Sequence, residues 1–235
     1  MNDFMANVDA VIFDFDDTLV ITNALFDHAR TELFSAMRNL GLSYEEQWAD
    51  FLDAEDIANV KKAGFFSADC FPRAMGKTYA HFATLSGLSP DPVLRQQMEN
   101  IGWHVHNIKP RLTDGAWDVL SALYSKVRLF LFTQGDLELQ SKRIKNSGLE
   151  SFFNKCYIVN KKDKDSYLDL IQQQNIDCHC SWMVGNSIKS DINPAYQVGL
   201  QTIFYNSPSW DYEQESLLKE THTITHLKQL LELIY

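Results

Sequence analysis

Apolar positions along this chain follow two patterns that exchange near residue 109. The run Ala10-Val11-Ile12-Phe13 ends abruptly at Asp14-Phe15-Asp16-Asp17-Thr18. A continuous apolar run is what a strand buried on both faces of a parallel sheet requires. From about residue 21 to 108 the apolar spacing is helical. Leu25, Ala29, Leu33, Phe34, Met37 and Leu40 recur at three- and four-residue intervals over Ile21–Leu40, and Gly41 stops that helix. Ser43-Tyr44-Glu45-Glu46 reads as a capping box opening a second helix to about Val60. Pro72–Leu85 and Pro92–His106 read as two more, with Gly64, Gly87 and Pro90 as punctuation.

From Lys109 onward strands and helices alternate. Leu112-Thr113-Asp114-Gly115 starts a helix through Ser125, and VRLFLF at 127–132 is a buried strand. A helix at Asp136–Asn146 ends at Gly148, followed by a short strand at Lys155–Val159 and a helix at Asp165–Gln174. A strand follows at Ser181–Val184, then a helix at Asp191–Val198 ended by Gly199. A strand at Gln201–Tyr205 and a closing helix at Ile224–Ile234 complete the series. Repeated βα units imply an α/β fold: a Rossmann-like, doubly wound parallel sheet with right-handed crossovers. Residues 1–19 and 109–235 are expected to form that core, interrupted by a helical insert at 20–108. No internal repeat or low-complexity segment is evident.

In such a sheet all carboxyl ends face one edge, where ligands bind. The first strand delivers Asp14, Asp16 and Thr18 to that edge, with Asp14 and Asp16 on one side, about 6 to 7 Å apart if extended. Two carboxylates there can hold a divalent cation and divide nucleophilic and acid/base roles. The second strand ends in Thr133-Gln134-Gly135, where a hydroxyl and turn amides suit an oxyanion. The third leads into Asn160-Lys161-Lys162-Asp163-Lys164, any of whose lysines could neutralise a phosphate, although a bare basic cluster is also what a solvated loop looks like. The fourth ends in Gly185-Asn186-Ser187-Ile188-Lys189-Ser190-Asp191, where Asn186 and Asp191 supply hard oxygens for a cation. Taken alone, Asp191 also suits a helix start.

Charge narrows the partners. Lys and Arg total 21 against 31 Asp and Glu, a formal net charge of −10 over 235 residues. Such a chain has no general attraction for nucleic acid or an anionic membrane, so an anionic substrate must be captured locally. No apolar run reaches the roughly 18 residues of a membrane helix, and MNDFMANVDA carries no basic-then-apolar leader, so a cytoplasmic protein is expected. Cys70, Cys156, Cys178 and Cys180 have no disulfide-framework spacing, and Asp177-Cys178-His179-Cys180 lacks the second Cys/His pair of a zinc site. His104 and His106 read as surface. A monomer or homodimer is expected.

The ordered series DFDDT at 14–18, Thr133, a Lys near 162 and GNSIKSD at 185–191 resembles the haloacid dehalogenase-like (HAD) superfamily over the whole chain. VGNSIKSDINPAYQVGL is similar to members with a GNxxxSD fourth motif, and the insert resembles that family's helical cap. Matching VNKKDKDSY to the family's EKDxxTY pattern selects Lys162 among Lys161, Lys162 and Lys164. The resemblance implies that Asp14 attacks phosphorus to give an aspartyl-phosphate, while Asp16 protonates the leaving alkoxide and then deprotonates water. It implies Mg²⁺ held by Asp14, the Asp16 main-chain carbonyl, Asn186 and Asp191. It further implies phosphoryl binding by Thr18, Thr133, Gln134, Gly135 and Lys162. A cation is also a physical requirement, since two unit charges about 4 Å apart repel by about 4 kcal/mol at an effective dielectric near 20.

The expected reaction is thus Mg²⁺-dependent hydrolysis of a small phosphorylated metabolite. A phosphosugar mutase, or a catalytically weak phosphoryl-binding module, stands as the alternative. Family members that dehalogenate lack an acid at the position of Asp16, because halide leaves without a proton. The family often has Gly-Asp where this chain has Gly185-Asn186, and an Asn ligand supplies no charge. The resemblance implies a cap that closes over the core, with 19–23 and 108–112 as hinges. Arg73 and Lys77, four apart on a helix, offer contacts for a second anionic group. Phe65, Phe66 and Phe71 would line the cap–core interface or pack the cap.

Overall fold

The computed structural model describes residues 8–207 and 215–234, so the parts of the expected core that fall on 1–7, 208–214 and 235 lie outside the described residues. Two compact units emerge: 1–23 with 109–235, and 24–108. Strand β1 (Ala10–Phe13) and the two-residue β2 (Val20–Ile21) open the first unit. The second is helical: α1 (Asn23–Asn39), α2 (Trp48–Ala63), α3 (Cys70–Leu85) and α4 (Pro92–Val105). The chain continues through β3 (Arg111–Leu112), α5 (Ala116–Leu123), β4 (Arg128–Gln134), α6 (Leu137–Ser147), β5 (Lys155–Val159) and α7 (Lys164–Gln174). It ends with β6 (Ser181–Gly185), α8 (Asn193–Gln197), β7 (Gln201–Tyr205), β8 (His222–Ile224) and α9 (Gln229–Ile234).

Six strands form one parallel, Rossmann-like sheet in the order β5-β4-β1-β6-β7-β8. Strand alternation explains why β1 and β4 are apolar throughout. Val11, Phe13, Leu129 and Leu131 enter one cluster with α5 and α9, and Ala10, Ile12, Phe130 and Phe132 enter another with α7 and α8. Both faces of the sheet are therefore covered. β1 lies at the centre, between β4 and β6, so the residues just beyond Phe13 emerge in the middle of the carboxyl edge.

The helical unit has its own core, in which Leu33 and Met37 of α1 meet Trp48 and Leu52 of α2 and Phe71, Met75 and Phe82 of α3. Phe71 is buried there against Phe26, ring centroids 4.9 Å apart. Arg73 pairs with Asp69 at 3.1 Å, and Lys77 reaches Glu55 at 2.7 Å and Asn59 at 3.0 Å. Both cations thus have partners within the unit. His104 is exposed, while His106 bonds the Ala68 carbonyl at 2.8 Å.

Several expected elements need correction. The capping box at 43–46 does not form: Tyr44 takes a left-handed φ of 68°, Glu45–Gln47 make a single tight turn, and α2 starts at Trp48 with no side-chain cap. A capping box forms instead at Asp163 and Ser166, opening α7. The segment 111–125 contains β3, paired antiparallel with β2, and a helix that ends at Leu123 before Ser125 turns to φ 67°. Residues 191–198 are a wide π-type turn at Ile188–Ile192 running into α8. The closing helix from Ile224 is β8 followed by α9. β4 runs to Gln134, so Thr133 sits in the strand itself.

One buried acid in the helical unit sets a pH response. Asp56 of α2 lies near the Arg30–Asp53 ion pair, and its Oδ1 has no hydrogen-bond partner among the described residues. Burial pushes its carboxyl from 3.8 up to about 6, with Arg30 opposing and Asp53 adding to the rise. A raised carboxyl stabilises the fold fully below its unfolded value, and that contribution is lost as pH climbs through about 6. Asp56→Asn should therefore leave thermal stability nearly unchanged at pH 4 and raise it at pH 8. After allowance for solvent screening the gain should be about 1 to 2 kcal/mol. Melting curves of both proteins at the two pH values check it.

Candidate active site

Three segments beyond the strand ends meet in a buried ionic cluster. Asp14, first residue after β1, donates its backbone N–H to Val184 of β6 at 2.9 Å, which fixes where its side chain starts. Its Oδ1 accepts from Lys162 Nζ at 2.5 Å, and the same ammonium donates to Asp191 Oδ1 at 2.6 Å. All three side chains are buried. Lys162 is held at its backbone too, since its N–H donates to Gln134 Oε1 at 2.9 Å. Asp163 then caps α7, and Tyr167 donates its hydroxyl toward the Ser190 and Asp191 carbonyls at 3.2 and 3.4 Å.

Asp191 reaches Lys162 because Gly185 has no side chain. A Cβ on Gly185 would strike the Asp191 carboxylate. Asp191 Oδ2 accepts from the Ser187 N–H at 3.0 Å, closing the wide turn that brings it back over the end of β6. Asn186 lies beside it, its Oδ1 accepting from the buried Thr18 hydroxyl at 3.4 Å.

Asp16 belongs to a second network. Its Oδ1 accepts from Thr22 Oγ1 and from Arg143 Nη1, both at 2.6 Å, and its Oδ2 accepts from Gln140 Nε2 at 2.6 Å. Gln140 also donates to Thr133 Oγ1 at 2.9 Å, linking the acid to the end of β4. Arg143 further donates to Gln140 Oε1 and Thr22 Oγ1, each at 2.8 Å, and its guanidinium lies 5.5 Å from the Phe15 ring centre. Asp17, at a left-handed φ of 54°, accepts from the N–H groups of Thr22 and Asn23 and so caps the start of α1.

The two networks tune neighbouring acids in opposite directions. Burial pushes Asp14 up to about 7, with Lys162 opposing and the Asp191 and Asp16 charges adding to the rise. Burial would also raise Asp16, but Arg143, Thr22 and Gln140 hold it below the ordinary carboxylate value. For Lys162, burial disfavours the ammonium, and the charges of Asp14 and Asp191 overcome it and raise the pKa. Burial likewise brings Asp17 up to about 6 against its two backbone donors.

Every residue named from the sequence lies at this edge, although in different company. Asp14, Lys162 and Asp191 meet directly. Asp16 and Thr133 meet through Gln140. Thr18 turns to Asn186, and Gln134 spends its side-chain oxygen on Lys162. Gly135 donates its N–H to Val159 of β5 at 3.0 Å, so that amide is engaged in the chain. Gln140, Arg143, Thr22 and Asp17 were not foreseen. The available signal was Gln140 and Arg143 one turn apart on α6, a helix opened by Asp136 just past Thr133. Lys161 lies exposed against Asp163, and Lys164 begins α7.

Among the described residues no three His, Cys, Asp or Glu side chains gather to hold a metal. The acidic pair Asp14 and Asp191 can be completed only by neutral oxygens, those of Asn186 and the main chain. These are all hard donors, suited to Mg²⁺. Charge favours a cation as well, because Lys162 is shared between two buried carboxylates. The fit is to a site with few charges. No helix among the described residues is long and apolar enough to cross a membrane.

Comparison with known proteins identifies the family. Residues 8–199 match the family described as haloacid dehalogenase-like hydrolase. The pyrimidine 5'-nucleotidase YjjG of Escherichia coli is 30% identical over 128 residues, 51% of this chain and 55% of that protein. The pyrimidine 5'-nucleotidase PynA of Streptococcus pneumoniae is 28% identical over 125 residues, 50% and 52% of the two chains. The chain spans about half the length of the curated relatives it matches. In solved structures, a haloacid dehalogenase-like hydrolase from Xanthomonas campestris gives a TM-score of 0.78 at 20% identity, over 97% of this chain and 96% of that one. The HAD-hydrolase YfnB of Bacillus subtilis, bound to magnesium, gives 0.65 at 20% identity over 97% and 99%. An L-2-haloacid dehalogenase from Xanthobacter autotrophicus with chloropropionic acid covalently bound gives 0.62 at 15% identity over 97% and 98%. At these identities the structural likeness is one of fold. By the match over 8–199, the chain belongs to the haloacid dehalogenase-like hydrolase family.

Proposed function

We propose that this hydrolase is a Mg²⁺-dependent phosphatase of small phosphorylated metabolites, working through an aspartyl-phosphate on Asp14. The observation that carries the reading is the pairing of a buried, Lys162-bound Asp14 with a second carboxylate, Asp16, two residues on and held in a separate network. The two acids sit in separate hydrogen-bond networks, so each is free to take a role of its own. A halide would leave without a proton, so the supported carboxylate at 16 favours a phosphoester over a haloacid. The nucleotidase relatives put pyrimidine nucleoside monophosphates first among the substrates to try.

In this reading an Asp14 oxygen bonds to phosphorus as the ester P–O bond breaks, and Asp16 protonates the departing oxygen. Asp16 then takes a proton from water as the water oxygen displaces Asp14. Thr133 and Lys162 hold phosphoryl oxygens and offset charge. Asp14, Asp191, Asn186 and the Asp16 carbonyl would hold Mg²⁺, which when bound screens the phosphate from the Asp14 carboxylate. We read the helical insert as the family's cap, and the protein as a cytoplasmic monomer or homodimer with no nucleic-acid or membrane partner.

Phosphate release from p-nitrophenyl phosphate and from a panel of phosphometabolites should require Mg²⁺ and stop with EDTA. Asp14→Asn should lower turnover by about 10³-fold or more. Phosphate appearing in step with product excludes a mutase. Turnover undiminished in Asp14→Asn would sink the reading.

The uncharged ligand at 186 predicts weak metal binding. Asn186→Asp should lower the half-saturating Mg²⁺ concentration about tenfold, equivalent to about 1.4 kcal/mol, both in the phosphatase assay and in calorimetric titration of the protein with MgCl₂. Equal Mg²⁺ dependence in the two proteins would show that the charge at this position does not matter.

A further inference from the structure

We infer that Arg143 is a positioning residue that, with Thr22 and Gln140, fixes Asp16 in one rotamer and leaves a single carboxylate position open for proton transfer. The inference rests on the phosphatase reading of the preceding section. A carboxylate has two acceptor positions on each oxygen. On Asp16, Oδ1 uses both, for Thr22 Oγ1 and Arg143 Nη1, and Oδ2 uses one, for Gln140 Nε2. The remaining position is on Oδ2, so a proton passing to or from Asp16 must use it. Gln140 sets the direction of that oxygen, because its other N–H holds the Thr133 hydroxyl. Arg143 in turn holds Gln140 by its Oε1, and is itself mostly buried over Phe15. One guanidinium therefore orients the acid directly and also through each of its other two donors.

The proton balance follows. As the Asp14–phosphorus bond forms and the ester bond breaks, the electron pair passes to the departing oxygen, which takes the proton from Oδ2. When water attacks, its proton returns to Oδ2 and the pair of the phosphorus–Asp14 bond returns to Asp14. Arg143 touches neither phosphorus nor the leaving group in this scheme. It acts by keeping Oδ2 aimed.

The test is a leaving-group series. The values of kcat/KM report the steps up to Asp14 phosphorylation, and they are measured for p-nitrophenyl, phenyl and benzyl phosphate with Mg²⁺ present. The p-nitrophenolate departs without help, whereas benzyl alkoxide needs the proton. Arg143→Met should lower kcat/KM about 100-fold on benzyl phosphate and less than about threefold on p-nitrophenyl phosphate, within the range general acid catalysis spans. Arg143→Lys, which keeps the charge and loses the fork, should fall between. Thermal melting separates folded from unfolded variants. Should Arg143→Met not fold, Thr22→Val removes one Oδ1 donor and should show the same leaving-group bias, smaller. A uniform loss across the three esters would make Arg143 merely structural and overturn the inference while leaving the phosphatase reading intact. No turnover of any ester by the unmodified enzyme would overturn both.

Discussion

The arrangement at the carboxyl edge depends on one ammonium. Lys162 stands between Asp14 and Asp191, all three away from water. Ions removed from water lose several kcal/mol of hydration each, and only close, well-directed partners make that tolerable. The pairing therefore dictates the path of three chain segments. The end of β1 must present Asp14, the β5–α7 loop must turn Lys162 inward, and the turn after β6 must fold back until Asp191 arrives. The chain contributes to each requirement locally. Gln134 takes the Lys162 backbone N–H, Asp163 starts α7 immediately after, and Gly185 leaves the space that the Asp191 carboxylate fills. Truncating Lys162 would leave two like charges buried together, a far larger disturbance than the loss of a surface pair.

That geometry also explains why the two acids of the DFDDT segment differ. Asp14 is buried with Asp191 against the Lys162 ammonium, and its proton affinity rises to about 7. Asp16 belongs to a separate network, where three donors meet it and its proton affinity falls. Identical side chains two residues apart are thus held in different protonation environments by their different partners. A further positive charge near Asp14 would favour its ionised form.

Much of this was legible in the sequence because the signals were strong and local. Ala10–Phe13 could be read as a central strand since it is apolar on both faces, and β5 and β7 were bounded correctly by the punctuation around them. That Asp14, a lysine of 161–164 and Asp191 share one edge was legible because sheet topology brings strand ends together, while the choice of Lys162 came from the family pattern. What failed was where tertiary context outweighs local pattern. Ser43–Glu46 has the composition of a capping box, yet Tyr44 adopts a left-handed turn and the helix begins later. β8 is three residues long with two of them exposed, too short to show alternation, and it exists because β7 offers it an edge. Gln140 and Arg143 lie in LELQSKRIKNS, which reads as a solvated helix face. Their role is set by Asp16, 124 positions from Gln140 along the chain.

The contrast between the two networks bears on how the family fold supports different chemistry. The triad of Asp14, Lys162 and Asp191 is built from strand ends and loops whose positions the sheet imposes. The support for Asp16 comes from α6, whose face toward the edge the sheet leaves unspecified. A carboxylate at 16 without donors would be raised by the same burial that raises Asp14, and would repel it. Arg143 keeps Asp16 ionised by pairing with it, at the cost of burying most of a guanidinium that has to be hydrogen-bonded in return. Glutamine at 140 and threonine at 22 satisfy it. The acid at 16 and its three donors therefore form one structural unit, to which α6 contributes two of the three partners.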